Sequence, residues 1–152
     1  MMQALIHKYN TMIQTWQSHM LDMLMLLLRL YVAWVFWHAG YLKFENWPAT
    51  EYLFQFEYQV PLLPWQVAAV LGTATELIIP VFIAVGLLTR LTGGVLFVFN
   101  AVAVLSYPVL YQDGFALFSK GAMDHQIWGL MLLLIVTLGA GRWSLDKRLG
   151  VS

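Results

Sequence analysis

The chain has no cysteine among its 152 residues. That excludes disulfides, thiolate catalysis and thiolate-held metal or iron–sulfur sites built from this chain alone. Charge is scarce too, at 11% of residues, where soluble domains carry about a quarter. Neither sign dominates, with 8 Lys and Arg against 8 Asp and Glu, so no basic face for nucleic acid is implied. No Gly-rich phosphate loop, nucleophile elbow or HExxH pattern occurs. The first 20 residues lack a compact apolar region followed by a small-residue cleavage site, so no cleavable signal peptide is expected.

What the chain does have is apolar length. It is 61% hydrophobic with a mean hydropathy of +0.70. Four runs are long enough to span a bilayer: Leu21 to about Tyr41, Trp65–Leu88, Leu91 to about Tyr111, and about His125–Ala140. Lipid leaves no partner for a free backbone, so each run is predicted to be helical. The expectation is an all-α membrane protein, an antiparallel four-helix bundle over 21–152. Residues 1–20 precede it as an amphipathic interfacial helix, with Leu5, Ile6, Tyr9, Met12, Ile13, Trp16 and Met20 three or four apart. That stretch is equally readable as a lead into the first span.

An even number of spans puts both ends on one side. Lys8, Arg90, Arg142, Lys147 and Arg148 share that side, against Lys43 and Lys120 with Glu45, Glu51, Glu57, Asp113 and Asp124 on the other. The positive-inside rule then places both termini in the cytoplasm. The outer loop 45–64 carries Trp47, Tyr52, Phe54, Phe56 and Tyr58. Pro48 is suited to open a short interfacial helix, and Pro61 and Pro64 to end it. Its aromatics read as a membrane-interface belt or as a lid over a pocket.

Two polar clusters stand out. Glu76 sits in the second span with no other charge around it, and a carboxylate there costs several kcal/mol, of order 3, unless paired or hydrated. Arg29 in the first span is the expected partner, with Thr73, Thr75 and Asn100 nearby in depth and Pro80 freeing a carbonyl. Such a pair either staples two helices or forms a site for ligand, proton or substrate. Arg29 and Glu76 are thus the candidates for any catalytic role. Toward the outside, His38, Tyr107, Asp124 and His125 approach one leaflet. His38 and His125 could ligate metal or hydrogen-bond a quinone, although Asp124 and His125 also suit a plain helix start. His38 is nine residues from Arg29, about 180° round the helix, so one straight helix cannot aim both at one point.

Several stretches match a family pattern in order. Arg29 in the first span is followed by Gly40 and Lys43 in HAGYLKFENW. Glu76 precedes a turn with Gly86, Leu87, Thr89 and Arg90. The end carries Gly139, Gly141, Arg142, Ser144, Leu145 and Asp146. From Arg29 to Asp146 the chain resembles the DoxX family of small four-helix bacterial membrane proteins. EYQVPLLP (57–64), VFNAVAVLSYP (98–108) and DHQIWG (124–129) are similar to a branch that accompanies metal-binding bufferin peptides in copper-stress gene clusters.

The resemblance implies a membrane component of a redox or copper-stress system, acting with the lipid bilayer and partner proteins of such a cluster. It implies quinone-linked oxidoreductase activity through a bound cofactor or partner. Quinone is the first cofactor to consider, with haem or copper behind it. No family residue role transfers to a position here, so enzyme status stays open. The alternatives are a non-catalytic anchor or assembly subunit, or a carrier of a small solute or metal. A carrier commonly shows inverted repeats, and the halves show none. A homo-oligomer is compatible with all of these.

Overall fold

A computed structural model describes residues 2–112, 114 and 119–151; Asp113, assigned to the outer loop by the charge pattern, lies outside them, as do 115–118. Six α-helices follow in order: α1 Met2–Glu45, α2 Trp47–Tyr52, α3 Trp65–Val85, α4 Thr89–Ser106, α5 Met123–Leu138 and α6 Leu145–Leu149. A π-helical turn covers Leu53–Glu57 and a 3-10 turn covers Pro108–Tyr111. No strand occurs among the described residues.

Four helices form an antiparallel bundle. α1 packs on α3, α3 on α4, α4 on α5, and α5 closes back on α1. Three of them are long and apolar enough to cross a membrane. α5 is equally apolar but has 16 residues, a rise of ~24 Å. The surface is rich in large apolar side chains such as Leu27, Trp34, Val70, Ile78, Val98 and Leu130. The interior instead holds Arg29, Glu76 and Asn100. Apolar groups outside and polar groups inside is the arrangement hydrocarbon solvent favours. Met25, Val32, Phe36, Ile83, Leu96, Leu132 and Ile135 fill the space between the polar groups.

α1 is one uninterrupted helix of 44 residues, ~66 Å long, about twice the hydrocarbon thickness. Nothing in 2–20 breaks it: that stretch contains no Pro or Gly. The N-terminal half therefore runs on from the bundle with Leu5, Tyr9, Met12 and Trp16 exposed.

The loop after α1 is helical as the proline pattern predicts. Asn46 caps α2 by accepting from the Ala49 N–H at 3.3 Å, and Pro48 sits in the first turn. The buried Thr50 hydroxyl donates to the Lys43 carbonyl at 2.8 Å and folds α2 back over the bundle. Phe54 is thereby driven against Ala68 and Ala69 of α3.

Candidate functional site

Two polar centres sit at opposite ends of the bundle, and the expected Arg29–Glu76 pair is not one of them. Glu76 pairs with Lys43, whose Nζ lies 2.8 and 2.6 Å from its two carboxylate oxygens. Arg29 donates from Nη2 to the Trp143 carbonyl at 2.6 Å and from Nη1 toward the Ala84 carbonyl at 3.4 Å. The reason is the direction in which helical side chains lean. Each Cα–Cβ bond tilts toward the helix N-terminus. In α1 that carries Arg29 away from the level of Glu76. It carries Lys43 back over the preceding turn, where Gly40 faces Glu76.

Gly40 is what lets α1 come this close. A Cβ there would stand 2.8 Å from the Glu76 Cβ and 3.0 Å from its carbonyl carbon. Arg29, Phe36, Gly40 and Lys43 recur near multiples of 3.6 residues, so one face of α1 supplies both centres.

The Arg29 end is a clamp assembled from three separated motifs. The Asp146 carboxylate accepts the Leu88 N–H at 2.7 Å and the Thr89 N–H at 2.8 Å, capping α4. The Asp146 N–H in turn donates to the Gly86 carbonyl at 2.8 Å. Gly86 has a φ of +70°, and a Cβ on it would collide with the Arg29 guanidinium, so only glycine fits. Burial works to raise the Asp146 pKa, yet the Thr89 and Leu88 donors and the Arg29 charge hold it below the ordinary carboxylate value. Asp22 of α1 accepts from the Arg142 backbone N–H at 2.9 Å and pairs with its guanidinium. Arg29 is fully buried, and this end has the character of a staple.

The Lys43 end holds a cavity of about 420 Å³ between α1, the π-helical turn, α3, α4 and α5. Its walls are mostly apolar, with Phe36, Phe54, Leu71, Phe99 and Trp128 among them. Lys43 and Glu76 form its charged point. Hydrogen-bonding groups converge from other elements: Tyr58, Ser106, Tyr107 and His125. The Ser106 hydroxyl is buried without a hydrogen-bond partner. Tyr107 donates to Glu57 at 3.2 Å and meets Tyr58 edge-on at 5.0 Å. Tyr58, outside the helices, has its phenol pKa raised to about 12, by burial first and by nearby Tyr107, Glu76 and Glu57.

Asn100 is buried and orients His125. Its side-chain nitrogen donates to the His125 carbonyl at 2.8 Å, and its oxygen faces His125 Nδ1 at 2.9 Å. Glu76, Tyr107 and His125 therefore line one cavity, with Asn100 behind His125. The other candidates do not join them. His38 is exposed beside Trp34, their rings 5.5 Å apart, on the face of α1 opposite Arg29. Asp124 is exposed in the first turn of α5, where a carboxylate suits the helix dipole. His38 and His125 thus do not converge on one metal position. Among the described residues, no group of three or more His, Asp or Glu could hold a metal ion.

Lys43, Tyr58 and Ser106 are cavity residues that the pattern of isolated charges did not single out. Gly40 and Lys43, one turn apart, were the available signal, since a small residue there makes room for whatever the lysine reaches.

The DoxX family model matches residues 24–108, a stretch holding Arg29, Gly40, Lys43 and Glu76. An uncharacterized protein of Haemophilus influenzae is 32% identical over 124 residues, which is 80% of this chain and 80% of that protein. No solved structure is significantly similar.

Proposed function

The chain belongs to the DoxX family, and on that premise we propose that its cavity binds a quinone or similar amphiphile within a redox or copper-stress system of the bacterial inner membrane. The observation that carries this reading is the cavity itself. A volume of about 420 Å³ lies within the range of small-molecule sites, and apolar walls with a few convergent polar groups are their usual make-up. The ring of a quinone would rest among Phe36, Phe99 and Trp128. Its carbonyl oxygens need donors, and Ser106, Tyr58 and Lys43 can supply them.

When bound, a quinone supplies the two-electron redox chemistry that a cysteine-free chain lacks. This chain's own part is to bind, to exclude water, and to hold a proton at Glu76 or Lys43. Copper or haem suits the donor set less well, because His125 is the sole imidazole lining the cavity among the described residues. The excess of Lys and Arg at the end that carries α6 supports a cytoplasmic position for both termini. The continuity of 2–20 with the first span supports its reading as a lead into that span.

The test is lipid-extract mass spectrometry and an absorption spectrum on the purified protein. A stoichiometric quinone that is lost in Glu76→Gln supports the reading. No retained amphiphile, together with unchanged function of Glu76→Gln, ends it. The second reading is an anchor or assembly subunit. The helical extension of α1 beyond the bundle favours it, and a stoichiometric protein partner with an empty cavity would establish it.

A further inference from the structure

A second recess, of about 390 Å³, opens at the Arg29 end between the start of α4, the end of α5 and α6. Three cations line it, Arg90, Arg142 and Lys147, with two carboxylates, Asp22 and Asp146. Both carboxylates are already engaged. Asp22 is taken by Arg142, through its backbone N–H and its guanidinium. Asp146 is taken by the Leu88 and Thr89 N–H groups.

The donors are in surplus. Among the described residues, neither Arg90 nor Lys147 forms an ion pair. The Arg90 N–H lies in the first turn of α4, where no intrahelical acceptor precedes it. The Thr89 hydroxyl, on a residue only 1% exposed, lines the same recess without a partner at hydrogen-bonding distance. α4 has 18 residues, and the Asp146 carboxylate on the Leu88 and Thr89 N–H groups offsets only part of its dipole.

The recess lies where α4 begins and α5 ends, the level at which a bilayer gives way to head groups. Leu91 and Leu138 form its apolar side. We propose that this recess is a binding site for a phosphate-bearing anion, held by Arg90 and Lys147 beside the first turn of α4. Basic recesses between membrane helices recognise anionic head groups through the same chemistry. The anion is either the head group of an anionic phospholipid or a free phosphate.

The site is separate from the Lys43–Glu76 cavity, so its test stands apart from the proposed function. The full chain is placed in phosphatidylcholine nanodiscs with increasing phosphatidylglycerol, and the lipids it retains are counted by native mass spectrometry. The comparison is Arg90→Gln/Lys147→Gln against a control of equal charge change, Lys8→Gln/Arg148→Gln, outside the recess. All four side chains are exposed, so the fold is expected to survive.

Selective retention of phosphatidylglycerol should fall by roughly 30-fold in the first variant and little in the control, given the usual worth of each interfacial cation. Each single substitution should lower it about fivefold. If inorganic phosphate protects the wild type against heating, and the Arg90/Lys147 variant not at all, while lipid shows no selectivity, the anion is free phosphate. Equal losses in the two double variants, or no selectivity for either anion in the wild type, would overturn the site.

Discussion

Replacing Lys43 by Met is the most revealing single perturbation of this bundle. It leaves the Glu76 carboxylate, only 9% exposed, without the ammonium that sits 2.6 Å away. Removing one partner of a buried pair costs about 3–5 kcal/mol, because the survivor is left unneutralised. Lys43 is 18% exposed, so some of that cost is relieved by water, and about 2–4 kcal/mol is expected. Glu76→Gln alone should cost less, since an exposed-side lysine can swing toward the head groups.

The double variant Lys43→Met/Glu76→Gln has no charge to strand. It should recover most of the loss, giving a coupling energy of about 2 kcal/mol. Reversible unfolding in bicelles, followed by steric trapping, reads all three values. The parallel cycle between Arg29 and Glu76 should be additive within ~0.5 kcal/mol, because the two share no partner. The reasoning fails if Lys43→Met costs under ~0.5 kcal/mol, or if the coupling appears between Arg29 and Glu76 instead.

Three further outcomes follow from the geometry. Gly40→Val should lower stability by about 1–3 kcal/mol, since its side chain must displace the α3 backbone at Glu76; thermal unfolding in detergent checks this. Asp146→Asn should cost about 1–2 kcal/mol through the weakened α4 cap. The Asp146 pKa is depressed in the fold, so its stabilisation is present above the unfolded carboxylate value, about 3.9, and is lost as pH falls through the folded one. Stability measured from pH 7 downward should therefore drop less steeply in Asp146→Asn than in the wild type. Asn100→Leu should cost about 1–3 kcal/mol and free the His125 ring, visible as a shifted or broadened imidazole NMR signal.

The architecture was legible because hydrocarbon imposes simple rules. The runs of apolar residues marked α3, α4 and α5 to within a few positions, whereas α1 shows no boundary at Leu21 and runs on from Met2; Pro48 marked the helix in the outer loop. The site was legible only in its inventory. Glu76, Tyr107 and His125 reach one cavity, but the partner assigned to Glu76 was wrong. Depth alone made Arg29 and Glu76 neighbours, whereas side-chain tilt along α1 separates them and brings Lys43 in from the interface. The 180° offset between Arg29 and His38 was a sound inference, and its consequence is that His38 faces outward. The Arg29 clamp could not be foreseen, because it depends on Trp143 and Asp146, more than a hundred residues away in the chain.

The central claim is that the space beside Lys43 and Glu76 receives an amphiphile. The direct measurement is equilibrium binding of a short-tailed quinone to the purified protein in nanodiscs, with Ala103→Phe as the comparison, a substitution that adds bulk to the α4 wall of the cavity. Saturable one-to-one binding that weakens at least about tenfold in Ala103→Phe is predicted, as expected when a bound ring loses its place. Binding that is unsaturable, or equally strong in the filled variant, would contradict the claim.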